Sequence, residues 1–574
     1  MASDPNDGGA SPISGQKLKP CEDTIRDDSE SQEEKLPGVI HMEAFNDHIT
    51  LTERYVLFSS IFIIGYAFGL DGLVRSTYQG YATSSYSQHS LLSTINVIRG
   101  VIAAAVQPLV AKLSDLLGRL PLFIIATLFY VVGTVVETCA TRADHFAAGA
   151  LLYQIGYTCT LLVFEIIIAD ITSIRSRVFF VFVPNMPYLI NAWISGDVVA
   201  AVLKTTTWQW GIGMWCIIYP ICTIPFIAVM AIVGRRASKA IPGKAKLALF
   251  KGKNKLQMLV DLFWKLDIVG VFLLTATLSL TLIPLTLAGG EKQKWKTAGI
   301  ITPLVLGFVM AFLFALWEWK TAHPMMPKYL LRERGIWAAL CVAVFMTFSW
   351  YTQADFLYTV LLVGFDFSIA DATRIASVYS FCAVFGGVSL GLIIRKIRRL
   401  KPFIIGGIGV WTLAYGLLVK FRGGADPSAK AGVIAGQVLL GLAGGFFPYP
   451  NLAAAQALTK HEDIAVVTSI MLTMNNVGMA LGNAVSGAIW TQTLYAQLQR
   501  DLAPNTQLAE QVYASPLYVV PNFPVGSSER TAIIESYRYI QRLLTITGIC
   551  LVVPMLASAL CLRDTRLPKP KSTR

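Results

Sequence analysis

Apolar residues in this chain run in blocks of about twenty, separated by short polar stretches. A helix rises about 1.5 Å per residue, so about 20 apolar residues cross the hydrocarbon core of a bilayer. The blocks centre near Ile63, Val101, Phe129, Leu161, Leu189, Ile224, Thr277, Val309, Phe348, Val384, Val410, Leu440, Met479 and Val552. They predict an all-α membrane protein with about fourteen transmembrane helices. Several blocks contain Gly or Pro, which membrane helices tolerate. Residues 1–50 lie outside the pattern. They are acidic, poor in aromatics and lack the apolar core of a signal peptide, and so read as a disordered cytosolic tail.

Composition agrees with this reading. The 574 residues are 54% hydrophobic and 14% charged, against about 25% charged in soluble domains. The net charge of +13 does not point to nucleic acid, because Lys and Arg gather in alternate short loops, where they set orientation. One set holds Lys112 and Arg119, then Arg175 and Arg177, the basic run from Arg235 to Lys265, Lys320 to Arg334, Arg395 to Lys401, and the tail from Arg563. This side is assigned to the cytosol, with both termini inside. A long non-cytosolic loop is predicted over residues 495–541. Of the nine cysteines, none forms a C-x-x-C pair or a Cys/His cluster with metal spacing. No cofactor, protein-bound metal or catalytic constellation is expected, and an enzyme is the least favoured class.

Charges inside the apolar blocks narrow the function. Asp71 and Arg75 stand one helical turn apart in an otherwise oily segment, so they share a face. An intramembrane charge costs about 2.5–3.5 kcal/mol on insertion scales and marks a pathway or a locked pair. An internal repeat is also present. Leu120-Pro121-Leu122-Phe123-Ile124-Ile125 parallels Leu400-Lys401-Pro402-Phe403-Ile404-Ile405, which brings Asp71 close to Asp355 in register. Transporters are often built from two such halves, with the site between them.

Ala111-Lys112-Leu113-Ser114-Asp115-Leu116-Leu117-Gly118-Arg119-Leu120 resembles the G-x-L-x-D-x-x-G-R-[KR] loop of the major facilitator superfamily. Ala111 and Leu120 depart from that pattern. Gly118 permits a sharp turn, and Asp115 and Arg119 can make charge-assisted bonds that close a cytosolic gate. Leu70-Asp71-Gly72 with Arg75, His89-Ser90-Leu91-Leu92-Ser93-Thr94-Ile95, Ala169-Asp170-Ile171-Thr172, Trp208-Gln209-Trp210-Gly211-Ile212-Gly213-Met214-Trp215 and Ser486-Gly487-Ala488-Ile489-Trp490-Thr491 together resemble one branch of that superfamily, the fungal siderophore-iron transporters. The Trp-rich string is the most specific of them.

The resemblance implies the major facilitator fold: an N-terminal six-helix half (51–234), a basic loop with two extra helices (235–334), a C-terminal six-helix half (335–563) and a basic tail (564–574). It implies import of ferric siderophore chelates, by proton symport with alternating access, with the chelate, protons and the lipid bilayer as partners. A monomer is expected, in the plasma membrane, with an endosomal or vacuolar vesicle membrane as the alternative. Asp71, Arg75, Arg99, Glu165, Asp197 and Asp355 become candidates for the substrate or proton pathway. Asp115, Gly118, Arg119, Asp170 and Arg177 become candidates for the cytosolic gate, with Asp170 meeting Arg175 or Arg177. Glu165 has no cationic neighbour within a turn and is the better proton carrier, unless it is a hydrogen-bonded core residue. Trp193, Trp350, Tyr351 and Tyr358 are candidates to line a cavity. Two rivals remain. A fourteen-span drug:proton antiporter is disfavoured, because the fifth block lacks G-x-x-x-G-P-x-x-G-G. A nutrient receptor without net transport is the other.

Overall fold

The computed structural model describes residues 37–172, 180, 183–240, 255–288, 294–321, 324–326, 328–397, 399–459 and 464–564. The first half comprises α1 (Pro37–His48), α2 (Leu51–Ser85), α3 (Leu91–Leu117), α4 (Arg119–Thr138), α5 (Ala143–Ile171), α6 (Tyr188–Thr205), α7 (Trp208–Gly213) and α8 (Trp215–Ala240). Then come α9 (Lys255–Lys265), α10 (Ile268–Leu287) and α11 (Ala298–Lys320). The second half comprises α12 (Arg334–Ala354), α13 (Leu357–Gly364), α14 (Ile369–Ile397), α15 (Lys401–Lys420), α16 (Pro427–Phe446), α17 (Pro448–Ala457), α18 (Ile464–Asp501), α19 (Thr506–Ala514), α20 (Pro516–Val519), α21 (Ser528–Cys550) and α22 (Val552–Leu560).

Twelve helical stretches among the described residues are long and apolar enough to cross a membrane. The other two expected positions, near Leu189 and Met479, are occupied by α6 and α18. These helices are diluted by Asn191, Ser195 and Asp197, and by Asn475, Asn476 and Asn483. Both are packed among other helices, α6 against α14 and α2, and α18 against α12 and α3. Asn191 Nδ2 donates to the Tyr66 carbonyl at 3.0 Å, while the Oδ1 atoms of Asn191, Asn475 and Asn483 are buried without a hydrogen bond.

Each half has its own apolar core. One is built around Leu57, Phe123, Phe164 and Phe226, the other around Trp411, Phe447, Trp490 and Tyr537. Val97, Val101 and Ala104 of α3 meet Leu274 and Leu278 of α10 and Ala480 and Ala484 of α18 along the seam. The extra pair α10–α11 therefore sits beside the junction of the halves. Close approach replaces hydrophobic drive in lipid. A Cβ on Gly478 would stand 2.1 Å from Thr347 Oγ1 and 2.4 Å from the Val344 carbonyl, so α18 touches α12 backbone to backbone.

Two expectations need correction. Residues 37–48 are not part of a disordered tail. They form α1, which buries Met42 and Phe45 in the first-half core. Two apolar anchors in a short polar segment were too sparse to register as a pattern. The long loop expected over 495–541 is also shorter, since α18 runs to Asp501 and α21 starts at Ser528. Between them the chain folds into α19 and α20, and Leu508, Val512 and Leu517 are buried.

Candidate functional site

The middle of α2 carries the densest interior polar cluster. Asp71 and Arg75 are 0% and 1% exposed, and Arg75 Nε donates to Asp71 Oδ1 at 3.0 Å. Arg75 Nη2 donates to Asp71 Oδ2 at 3.0 Å and to Thr134 Oγ1 at 3.1 Å. Its Nη1 donates to Glu137 of α4. Tyr130 and Tyr153 both donate to Asp71 Oδ2, the latter at 3.0 Å. One arginine is thus matched by two carboxylates, and Asp71 is saturated with donors. The guanidinium also lies 3.8 Å from the centre of the Tyr153 ring, within cation–π range.

Glu137 was not among the residues expected from the sequence. It stands one residue from the end of an apolar helix and reads as an interfacial residue. Tyr130, Thr134 and Glu137 are spaced to share one face of α4, and that spacing was the available signal.

A second network begins on the other side of Tyr153, where the Arg99 guanidinium is 5.5 Å from the ring. Arg99 Nε donates to Gln154 Oε1 at 3.0 Å, and Nη1 to Gln79 Oε1 at 3.1 Å. Gln79 Nε2 donates to Asn96 Oδ1 at 3.1 Å. Asn96 Nδ2 donates to Asp355 Oδ1 at 2.6 Å. This last bond crosses from the first half to the second. Asp355 caps α12 where that helix breaks before α13, and its Oδ2 is buried without a hydrogen bond. Interrupted transmembrane helices commonly supply such sites. Among the described residues, Arg75 and Arg99 face Asp71, Glu137 and Asp355, so one carboxylate has no matching cation.

The remaining candidates lie elsewhere. Glu165 is half-buried on α5 and stands within electrostatic range of Tyr449 of the opposite half. Asp197 is 68% exposed and pairs with Arg374 of α14, at the α6–α14 junction rather than in the cluster. Trp193 is 53% exposed and packs edge-on against Phe381. Trp350 stacks on Tyr379 with centroids 4.5 Å apart and meets Tyr351 at 4.4 Å, while its buried Nε1 has no partner.

At the α3–α4 turn, the end expected to face the cytosol, Arg119 gathers the residues of the expected gate. It pairs with Asp115 at 3.1 Å and Asp170 at 3.0 Å, and Nη1 donates to the Ser114 carbonyl at 3.0 Å. Gly118 has φ +88°, a left-handed turn that favours glycine. Asp170 thus meets Arg119, whereas Arg175 and Arg177 lie outside the described residues.

The opposite end of the bundle is closed across the halves. Tyr81 of α2 meets Tyr358 at 6.3 Å and Tyr518 at 6.0 Å. Ser515 Oγ donates to the Ser84 carbonyl at 2.6 Å. His89, between α2 and α3, is fully buried. Its Nδ1 bonds Ser84 Oγ at 3.0 Å, and its Nε2 bonds Thr359 Oγ1 of the second half at 3.0 Å. Phe356 and Trp490 pack near the ring, and none of these neighbours carries a charge. The Trp-rich string builds this end too. Trp208 packs edge-on against Tyr86 and Phe146, and a Cβ on Gly211 would reach within 2.6 Å of the Tyr78 ring.

Burial without a counter-charge lowers the His89 pKa to about 4, against about 6.5 in water. A depressed pKa stabilises the closed seal above pH 6.5, and that contribution is lost as the pH falls towards 4. At about 1.36 kcal/mol per unit, the loss reaches roughly 3 kcal/mol. Tyr81 is 8% exposed; labelling of Tyr81→Cys by an impermeant thiol reagent is expected to rise over that interval, and the rise is expected to vanish in His89→Gln. Labelling that ignores pH in both proteins removes His89 from the seal.

Residues 364–496 match the Major Facilitator Superfamily profile. Siderophore iron transporter 1 of Saccharomyces cerevisiae is 44% identical over 542 residues, covering 92% of this chain and 85% of the relative. Siderophore iron transporter ARN1 of the same yeast is 40% identical over 516 residues, covering 89% and 82%. The fold is shared with a bacterial homologue of the human lysosomal transporter Spinster, in its inward-facing, unoccupied conformation. That match has a TM-score of 0.54 and 13% identity, and covers 90% of this chain and 98% of that one. A bundle in two halves, interior charges at their junction and this identity along nearly the whole chain lead to one conclusion: the protein belongs to the fungal siderophore iron transporters of the major facilitator superfamily.

Proposed function

We propose that this protein imports ferric siderophore chelates by proton symport with alternating access, acting as a monomer in the plasma membrane. The substrate class rests on the relatives' names. The proton rests on one observation: Arg75 and Arg99 stand among three interior carboxylates, Asp71, Glu137 and Asp355. Asp71 and Glu137 are held by Arg75. Asp355 has a neutral amide on one oxygen and no hydrogen bond on the other. An unmatched interior charge is costly, and a proton is the smallest species that neutralises it. Asp355 is the carrier in this reading. Glu165, half-buried opposite Tyr449, serves proton exit towards the cytosol.

In this reading the end closed by His89, Ser515 and the Tyr81–Tyr358–Tyr518 group is the outer one. Transport then requires this seal to part and re-form, while the Asp115–Arg119–Asp170 cluster governs the cytosolic end. The reading is tested by uptake of a panel of hydroxamate and catecholate chelates, labelled on both iron and chelator, into cells lacking other carriers. Both labels are expected to accumulate in equal amounts with at least one chelate, faster at acidic external pH. Iron entering without its chelator, or saturable binding without accumulation, overturns it.

A further inference from the structure

The amides between Arg99 and Asp355 have a forced direction. Arginine has donors only, so Gln79 must turn Oε1 to Arg99, at 3.1 Å. That leaves Gln79 Nε2 to donate to Asn96 Oδ1, at 3.1 Å. Asn96 must then present Nδ2, and it does so to Asp355 Oδ1 at 2.6 Å. Gln154 cannot reverse the order, because its own Oε1 is also turned to Arg99 and its Nε2 donates to Thr158 Oγ1 at 3.0 Å. Arg99 thus fixes a donor on a carboxylate three side chains away, and the final link spans the two halves.

We infer that Asn96, aimed by Gln79 and Arg99, is the positioning residue that keeps the proton on Asp355 releasable after the outer seal has closed. The inference rests on the proton-symport reading. With the seal open, the second half moves away from α3, and Asp355 loses its amide donor and exchanges protons with external water; closure removes that water, and because an unmatched interior charge is costly the carboxylate closes with one proton bound. Closure returns Asn96 Nδ2 to Oδ1. A fixed donor favours the charged carboxylate, so the amide offsets part of that cost and lets the proton leave Asp355 once the cytosolic side opens. The groups around Asp355 do not supply another trigger. On its own helix Tyr351 is the nearest titratable residue, α18 contributes Ser486, and α3 contributes Asn96. None of these carries a positive charge, and Arg99 acts through the amides.

Two variants test this in proteoliposomes, with the chelate that the wild-type protein accumulates and an internal pH dye. Asn96→Leu removes the donor at similar size. Gln79→Glu replaces the amide by a carboxylate that accepts from both Arg99 and Asn96. Asn96 then flips and turns its oxygen to Asp355. Both are expected to move the midpoint of the pH profile of uptake upward by about one unit, the equivalent of a tenfold change. Both should lower accumulation about tenfold and leave exchange of labelled for unlabelled chelate within about twofold. Exchange also reports folding, and Gln79→Glu keeps the test open if Asn96→Leu does not fold. Unchanged midpoints in variants that exchange normally overturn the role of Asn96. Wild-type uptake with no proton entry overturns the symport reading itself, and this inference with it.

Discussion

Arg75→Gln is expected to cause the largest loss of folded protein of any single substitution in the bundle. Arg75 is 1% exposed and distributes its donors over Asp71, Glu137 and Thr134. Removing it leaves two carboxylates without a cation inside the membrane. Breaking a buried pair by deleting one partner costs about 3–5 kcal/mol, and here two pairs share the partner. Arg75→Lys keeps the charge but not the planar fork, and an ammonium cannot reach the three acceptors at once. It is expected to fold at reduced yield. The triple variant Arg75→Gln, Asp71→Asn, Glu137→Gln removes the charges together and should recover most of the folded protein, but not transport. Thermal melting followed by size-exclusion chromatography in detergent measures this. Arg75→Gln with a wild-type melting temperature would show that the cluster is not what holds α2 to α4.

Asp355→Asn is expected to abolish accumulation while leaving exchange of labelled for unlabelled chelate. The substitution mimics the protonated acid. It keeps a carbonyl oxygen for Asn96 Nδ2, now at 2.6 Å from Asp355 Oδ1, so the closed arrangement is retained. What it loses is the ability to take up and give back a proton. Accumulation driven by a pH difference should fall at least tenfold, and exchange should change less than about threefold. Asp71→Asn is the contrasting case. Asp71 accepts from Arg75, Tyr130 and Tyr153, so its loss should reduce folded yield rather than uncouple transport. If Asp355→Asn accumulates chelate with the wild-type pH profile, Glu165 becomes the carboxylate to test, by Glu165→Gln.

Much of the site was legible as residue types but not as pairings. Asp71 and Arg75 were readable as a pair because one helical turn fixes their relation before any tertiary contact forms. The gate loop was readable for the same reason, since Asp115, Gly118 and Arg119 lie within one turn and its cap. Asp197 was misplaced. Its charge in an apolar block marks burial or a cavity equally well, and only the packing of α6 on α14 puts it at an exposed junction with Arg374. Asp170 was given a neighbour in sequence, whereas the fold brings Arg119 to it from α4.

By itself the sequence determined the fold class, the approximate number of spans and the family. These follow from properties that each segment carries alone: block length against bilayer thickness, and local motifs. Tertiary structure decided which polar residues meet. Glu137 joins Arg75 from 62 positions away, and Asn96 joins Asp355 from 259 positions away. No periodicity encodes such distances. In a bilayer an apolar block reads the same on every face, so the sequence cannot say which face meets a neighbouring helix. Packing alone turns α2, α3, α4 and α12 so that their few polar side chains converge, and with them the charge left unmatched at Asp355.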